Sequence, residues 1–115
     1  MRDRKRVVYD TRFIAAIYYP KDQDEAARIR DELTSTLSRY ISSLTVYEIY
    51  KLSLETEGKQ TADLGADLLR QDFTIVNVNW ELAKKAALVW KKHRVPIADA
   101  VAAATAMRLR AFCVT

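Results

Sequence analysis

Short apolar runs alternate with helix-length amphipathic stretches along the whole chain, and that alternation most restricts what it can fold into. Val7-Val8-Tyr9, Tyr40-Ile41-Ser42-Ser43-Leu44, Phe73-Thr74-Ile75-Val76-Asn77-Val78 and Phe112-Cys113-Val114-Thr115 read as strands, the third being richest in β-branched and aromatic residues. Between the first two, a helix is expected from Thr11 to about Tyr19, where Pro20 stops it. A second follows over Asp24–Leu37, with Ala26, Ile29, Leu33 and Leu37 on one face. Thr45 then opens a helix to about Glu57, ended by Gly58, and a further helix over 61–70 carries Leu64 and Leu68 on one face. Asn79 caps a helix to about His93, and Pro96 starts another. From Ile97 to Arg110 that last helix is apolar nearly all round, through Ala98, Val101, Ala102, Ala103, Ala104, Ala106 and Leu109, so neighbours must cover most of its sides.

Strands separated by helices predict an α/β fold: three layers, α/β/α, around a parallel sheet of about four strands, in a single domain over residues 1–115. Only two Gly and two Pro occur, too few for the tight turns of a sandwich or barrel. One cysteine, Cys113, rules out an internal disulfide and suits a reducing, cytoplasmic setting. Its apolar surroundings predict a buried, unreactive thiol. No apolar run approaches the ~20 residues that span a bilayer, and Arg2-Asp3-Arg4-Lys5-Arg6 lacks the apolar stretch of a signal peptide. Nineteen Lys and Arg against fifteen Asp and Glu give a charge of +4, a mild pointer to a polyanionic partner. The cationic clusters, Arg2 to Arg6, Lys91-Lys92-His93-Arg94 and Arg108 with Arg110, read equally as solvated faces or helix ends.

Most acidic residues lie on exposed helix faces, among them Asp22, Asp24, Glu25, Asp31 and Glu32; Asp10, Glu48 and Asp99 do not. Asp10 follows the first strand, and Glu48 lies one turn into the helix after the second. In an open parallel sheet, strand C-termini and helix N-termini share one rim, where binding crevices form. Asp99, in the first turn of the apolar helix, joins them if that helix starts at the same rim. Carboxylates within ~4 Å of each other repel by roughly 4 kcal/mol at an effective dielectric near 20, so they persist together only when protonated or bridged by a cation. Hard oxygen donors suit Mg²⁺ or Mn²⁺, and the expected reaction is phosphodiester hydrolysis. Each acid also has a local explanation. Asp10 can cap the first helix, Thr45-Val46-Tyr47-Glu48 matches a capping box, and Asp99 suits a helix start electrostatically.

Val8-Tyr9-Asp10-Thr11-Arg12-Phe13-Ile14-Ala15, Ile41-Ser42-Ser43-Leu44-Thr45-Val46-Tyr47-Glu48, Pro96-Ile97-Ala98-Asp99 with the small-residue helix after it, and Phe112-Cys113-Val114-Thr115 resemble, in order, the motifs of PIN domains. The resemblance covers the whole chain and implies a metal-dependent endoribonuclease. By size it is nearest the VapC-type toxins of prokaryotic toxin–antitoxin pairs, which implies an RNA substrate, an antitoxin partner and a homodimer. It assigns Asp10, Glu48 and Asp99 as catalytic metal ligands for Mg²⁺ or Mn²⁺, with Thr11 and Thr45 aiming the carboxylates. The family continues past its last strand with a further Asp or Asn, so residues beyond Thr115 are expected. A non-catalytic PIN-like RNA-binding or scaffold module is the alternative. A phosphoacceptor receiver would want paired acids near the first strand and a late lysine, which this chain lacks.

Elsewhere the sequence offers little chemistry. His93 is the sole histidine, which excludes a two-histidine ribonuclease mechanism, and neither zinc-ligand spacing nor a phosphate-cradling glycine loop occurs. Trp80 and Trp90 read as core or dimer-interface residues. Tyr47 and Tyr50 either line a groove or pack, and Arg12 either pairs with an acid or contacts phosphate, the pairing being the stronger expectation.

Overall fold

A computed structural model describes residues 4–114. Part of the basic N-terminal cluster (Arg2, Asp3) and the last strand residue Thr115 lie outside the described residues. In chain order the elements are β1 (Arg4–Tyr9), α1 (Thr11–Tyr18), α2 (Gln23–Thr34), β2 (Thr36–Ser42), α3 (Ser43–Glu57), α4 (Lys59–Asp72), β3 (Thr74–Val76), α5 (Trp80–His93), α6 (Ile97–Leu109) and β4 (Phe112–Val114).

Among the described residues the strands form one parallel sheet in the order β3-β2-β1-β4. The chain thus steps outward from β1 to β2 and β3, then crosses back to add β4 on the other side of β1. Because parallel crossovers are right-handed, reversing the direction of travel moves the connecting helices to the opposite face. The packing follows this rule. Val7 and Tyr9 point to the face where Ile14, Ile41, Ile49, Leu69 and Phe73 gather. Val8, between them, points the other way, onto Ala102 and Ala106 of α6. The expected three-layer α/β/α architecture is the one observed, with Val7, Val8 and Tyr9 of β1 buried at its centre and the topological reversal at the ends of β1 and β4.

Three expectations from the sequence need correction. The helix expected over Asp24–Leu37 ends at Thr34, and β2 starts at Thr36 rather than Tyr40. The hydroxyls of Thr34, Ser35 and Thr36 donate to the carbonyls of Asp31, Glu32 and Glu32 at 3.2, 3.0 and 2.8 Å. These side chains satisfy the last turn's acceptors and end the helix early. Leu37 therefore lies in a strand and is 72% exposed. In α4 the buried face is Ala62 and Leu69, seven apart, while Leu64 and Leu68 are exposed. Gly58, at φ +91°, is both the end of α3 and the start of α4, and this corner sets α4's rotation. Of the two places expected for Trp80 and Trp90, the core is excluded and an interface is not: each is exposed under a cation, Lys84 and Arg94 respectively, 4.2 Å from the ring centroid.

The fold predicts a contrast between two aliphatic residues. Ile14→Ala, at a fully buried position, should cost about 2–5 kcal/mol, whereas Leu37→Ala should stay within about 0.5 kcal/mol. Urea unfolding of both variants checks this, and a larger loss for Leu37→Ala would contradict the placement of β2.

Candidate active site

Asp10 is the first residue past β1, and its extended backbone (φ −85°, ψ 175°) makes it the N-cap of α1. Its Oδ1 accepts from the Phe13 N–H at 3.0 Å, and its own N–H donates to the Val114 carbonyl at 3.1 Å, tying it to the end of β4. The residue is 1% exposed. Among the described residues, its Oδ2 is the buried side-chain polar atom left without a hydrogen-bond partner. The local capping role expected for Asp10 is therefore present, yet it uses only one of two carboxylate oxygens. A desolvated oxygen without a donor is costly, which directs attention to what neutralises it.

Arg12, one residue into α1 from Thr11, supplies the nearest opposite charge. Its Nη2 stands 3.6 Å from Asp10 Oδ2, too far for a hydrogen bond, and donates to both Asp99 oxygens at 3.3 and 3.4 Å. This contact links the start of α1 to α6, whose first turn, led by Pro96 and containing Asp99, starts at the rim where β1 ends. Asp10 and Asp99, 89 positions apart in the chain, thus share a single cation, and Arg12 takes the pairing expected of it.

Glu48 approaches from α3. The cap of that helix is Ser42, whose Oγ accepts from the Thr45 N–H at 3.3 Å. The capping-box reading of Thr45 and Glu48 is thereby overturned: with the helix opening at Ser43, Glu48 lies in its second turn, out of reach of the free N–H groups. Instead Glu48 Oε1 accepts from Thr11 Oγ1 at 2.5 Å, and the Thr11 and Thr45 hydroxyls lie 3.2 Å apart. Thr11 directly follows Asp10, so Glu48 is coupled to the rim through one hydroxyl. A further bond, Val78 N–H to Ser43 Oγ at 3.0 Å, holds the start of α3 to the segment after β3.

The three expected residues are therefore arranged unequally: Asp10 and Asp99 about one guanidinium, and Glu48 on the hydroxyl beside them. Among the described residues no three His, Cys, Asp or Glu side chains already stand as a ready metal-binding group. The donor chemistry nonetheless fits Mg²⁺ or Mn²⁺. Such ions are commonly held by one or two carboxylates with water completing the shell, and Asp10 Oδ2 is a hard anionic oxygen with no other bond to break. An open groove of about 590 Å³ runs from Arg12, Phe13 and Val114 past Arg28.

Cys113 departs from expectation. The residue is exposed rather than buried, and it lies on β4 opposite Val8, close enough to Asp10 and Asp99 to sense both. Its thiol is desolvated by its neighbours even though the residue reaches the surface. That desolvation, reinforced by the two carboxylates, pushes the thiol pKa up to about 11. The unreactive thiol expected from the sequence is kept protonated first by desolvation and second by the two carboxylates, although the residue as a whole is exposed. Tyr50 packs onto α4 through Asp63 at 2.5 Å, whereas Tyr47 is exposed beside Lys51, and His93 sits on the exposed end of α5. The Ser42 cap and the Cys113 environment escaped the sequence reading, although a serine three residues before Thr45 was a legible cap signal.

The PIN domain family model matches residues 7–115. Among curated proteins, no sequence relative of the chain is found. Among solved structures, the chain is similar to a toxin–antitoxin complex from Klebsiella pneumoniae (TM-score 0.74, 17% identity, 95% of this chain and 84% of that one). It is also similar to VapC20 of Mycobacterium tuberculosis, described as a sarcin–ricin loop cleaving toxin (TM-score 0.75, 18% identity, 91% and 84%). FitAcB from Neisseria gonorrhoeae is a third (TM-score 0.71, 22% identity, 95% and 86%).

Two predictions follow from the site geometry. Asp10→Asn keeps a cap acceptor and should fold nearly as stably as the wild type, whereas Asp10→Ala should lose about 1 kcal/mol more, measured by chemical denaturation; equal stability of the two variants would remove the capping role. With the thiol protonated up to about pH 11, Cys113 should react with iodoacetamide at pH 9 roughly ten- to a hundredfold more slowly than a free cysteine peptide. A peptide-like rate would refute the desolvation of the thiol and the added influence of the two carboxylates.

Proposed function

Because this chain belongs to the PIN domain family, we propose that it is a divalent-metal-dependent endoribonuclease, the toxin of a toxin–antitoxin pair, with Asp10, Glu48 and Asp99 forming its catalytic metal site. The observation that carries the reading is the buried Asp10 Oδ2, which lacks a hydrogen-bond donor and faces a cation shared with Asp99 at the carboxyl rim of the sheet.

The protein's own groups divide the work. Asp10 is held on two sides, by the Phe13 N–H and by β4, so its free oxygen has a fixed direction. Asp99 supplies a second carboxylate from a separate helix. Glu48, oriented by Thr11, whose hydroxyl also meets that of Thr45, would reach the ion directly or through a water held on its carboxylate. A bound Mg²⁺ or Mn²⁺ would contribute Lewis acidity, activating water and neutralising charge that develops on the phosphate. An open groove that begins at Arg12 and Val114, and carries Arg28 along with Glu25 and Glu32, supports approach of a single RNA strand to the rim from that side. Phosphate contacts from such arginines position a strand without selecting its sequence.

The similar structure from Klebsiella pneumoniae is a toxin–antitoxin complex, which supports an antitoxin as partner here. The exposed Trp80, Leu88 and Trp90 on α5 support a homodimer built on that helix. Among the described residues no helix is long and apolar enough to cross a membrane; the reducing-compartment signal of a lone cysteine supports a cytoplasmic setting. One observation favours the rival reading, a non-catalytic RNA-binding or scaffold module: Arg12 partly neutralises both rim acids without any metal.

Cleavage of single-stranded RNA separates the two. The protein should cut with Mg²⁺ or Mn²⁺ and stop on addition of chelator. Asp10→Asn and Asp99→Asn should each lower the rate by on the order of a hundredfold or more, and Glu48→Gln by roughly ten- to a hundredfold. Cleavage indifferent to chelator, or undiminished in Asp10→Asn, would overturn the proposed mechanism.

A further inference from the structure

We infer that Arg12 is a displaceable stand-in for the metal ion: its guanidinium occupies the position between Asp10 and Asp99, and the two cations exclude one another there. The inference rests on the metal-site reading above and adds a competitor built into the chain itself.

The geometry carries it. One nitrogen, Arg12 Nη2, serves both carboxylates, at 3.6 Å from Asp10 Oδ2 and at 3.3 and 3.4 Å from the two Asp99 oxygens. Good charge-assisted N–H···O bonds are shorter, about 2.7–2.9 Å, and arginine at its best grips a carboxylate with two nitrogens. Arg12 does neither, so it compensates charge without satisfying the geometry of either acid. Asp10 Oδ2 remains without a donor although a guanidinium is beside it. The arginine side chain is 71% exposed, so nothing packs it into this position and it can swing into solvent at little cost. A divalent ion, in contrast, bonds directly to oxygen at about 2.0–2.1 Å and carries twice the charge.

Electrostatics makes the two occupants mutually exclusive. Two carboxylates with one guanidinium leave a net negative charge, and two carboxylates with one divalent ion are neutral. Glu48, the third carboxylate of the proposed site, accepts from Thr11 rather than Arg12, so the competition is local. An ion bonded to the Asp10 and Asp99 oxygens would meet like-charge repulsion from Arg12 Nη2 a few ångströms away in partly desolvated space. Arg12 therefore keeps the acids together in the metal-free protein, limiting their mutual repulsion, and lowers the affinity of the ion that replaces it. When displaced it remains tethered at the rim, one residue from Thr11, beside the open groove.

Calorimetric titration of Mn²⁺ into the full chain tests this, with Asp10→Asn as the control for binding at the rim. Arg12→Met retains the apolar stem and removes the charge, and should bind Mn²⁺ about tenfold more tightly than the wild type. Arg12→Lys, which keeps the charge, should stay within about threefold of wild type, and its folded state guards against a general effect of substitution. Equal or weaker Mn²⁺ binding by Arg12→Met, with Asp10-dependent binding intact in the wild type, overturns the competition and leaves the metal site standing. Mn²⁺ binding that is absent in the wild type, or unaffected by Asp10→Asn, overturns both.

Discussion

The structure depends on a carboxylate that is only half satisfied. Asp10 lies at the point where the central strand ends, the first helix begins and the last strand stops alongside. Its Oδ1 and its backbone N–H serve the fold, one capping α1 and the other tying β1 to β4. Its Oδ2 is buried and, among the described residues, accepts no hydrogen bond; the Arg12 guanidinium stands 3.6 Å away as counter-charge. Protein interiors rarely tolerate a desolvated anionic oxygen without a donor, and where they do the group usually has another task. Here the neighbours indicate which task, because Arg12 sets a cation beside it and shares that cation with Asp99.

The path of the chain explains how such neighbours meet. Reversal of direction after β3 sends α5 and α6 to the face opposite α1 to α4, and returns the chain beside β1. Since α6 runs directly into β4, its far end must lie at the carboxyl rim, and Asp99 in its first turn is carried there. The unusual composition of α6 follows from the same path. Ala100, Ala102, Ala104 and Ala106 are all buried, and small side chains let the helix lie close against the sheet on one side and α5 on another. Positioning of the acid and packing of the helix are one requirement.

Much of this was legible in the residues, for identifiable reasons. The α/β layering followed from periodicity, and Asp10 with Glu48 followed from strand-then-helix order, because a parallel sheet leaves no choice of rim. What failed to read was local competition for backbone groups. Three hydroxyls in succession, Thr34 to Thr36, cut α2 short and turned Leu37 from a core position into an exposed strand residue. Ser42 took the cap assigned to Thr45, which moved Glu48 by a turn and gave it Thr11 as a partner. The rotation of α4 about Gly58 exposed Leu64 and Leu68, since an apolar stripe in sequence does not specify which of two adjacent stripes meets a neighbour. Cys113 was read correctly as unreactive, since desolvation dominates its thiol, but its exposure and the added influence of Asp10 and Asp99, distant in sequence, were not legible.

Two readings of the rim remain in competition: a metal-dependent nuclease, or a binding module whose acids Arg12 holds quiet. Both use the same contacts and differ in what Asp10 Oδ2 is for. Anomalous diffraction from crystals soaked in Mn²⁺ decides between them most directly. The account predicts a metal peak bonded to Asp10 Oδ2 and an Asp99 oxygen, with Arg12 moved away. A rim without metal at saturating Mn²⁺, with Arg12 still spanning the two carboxylates, would contradict it.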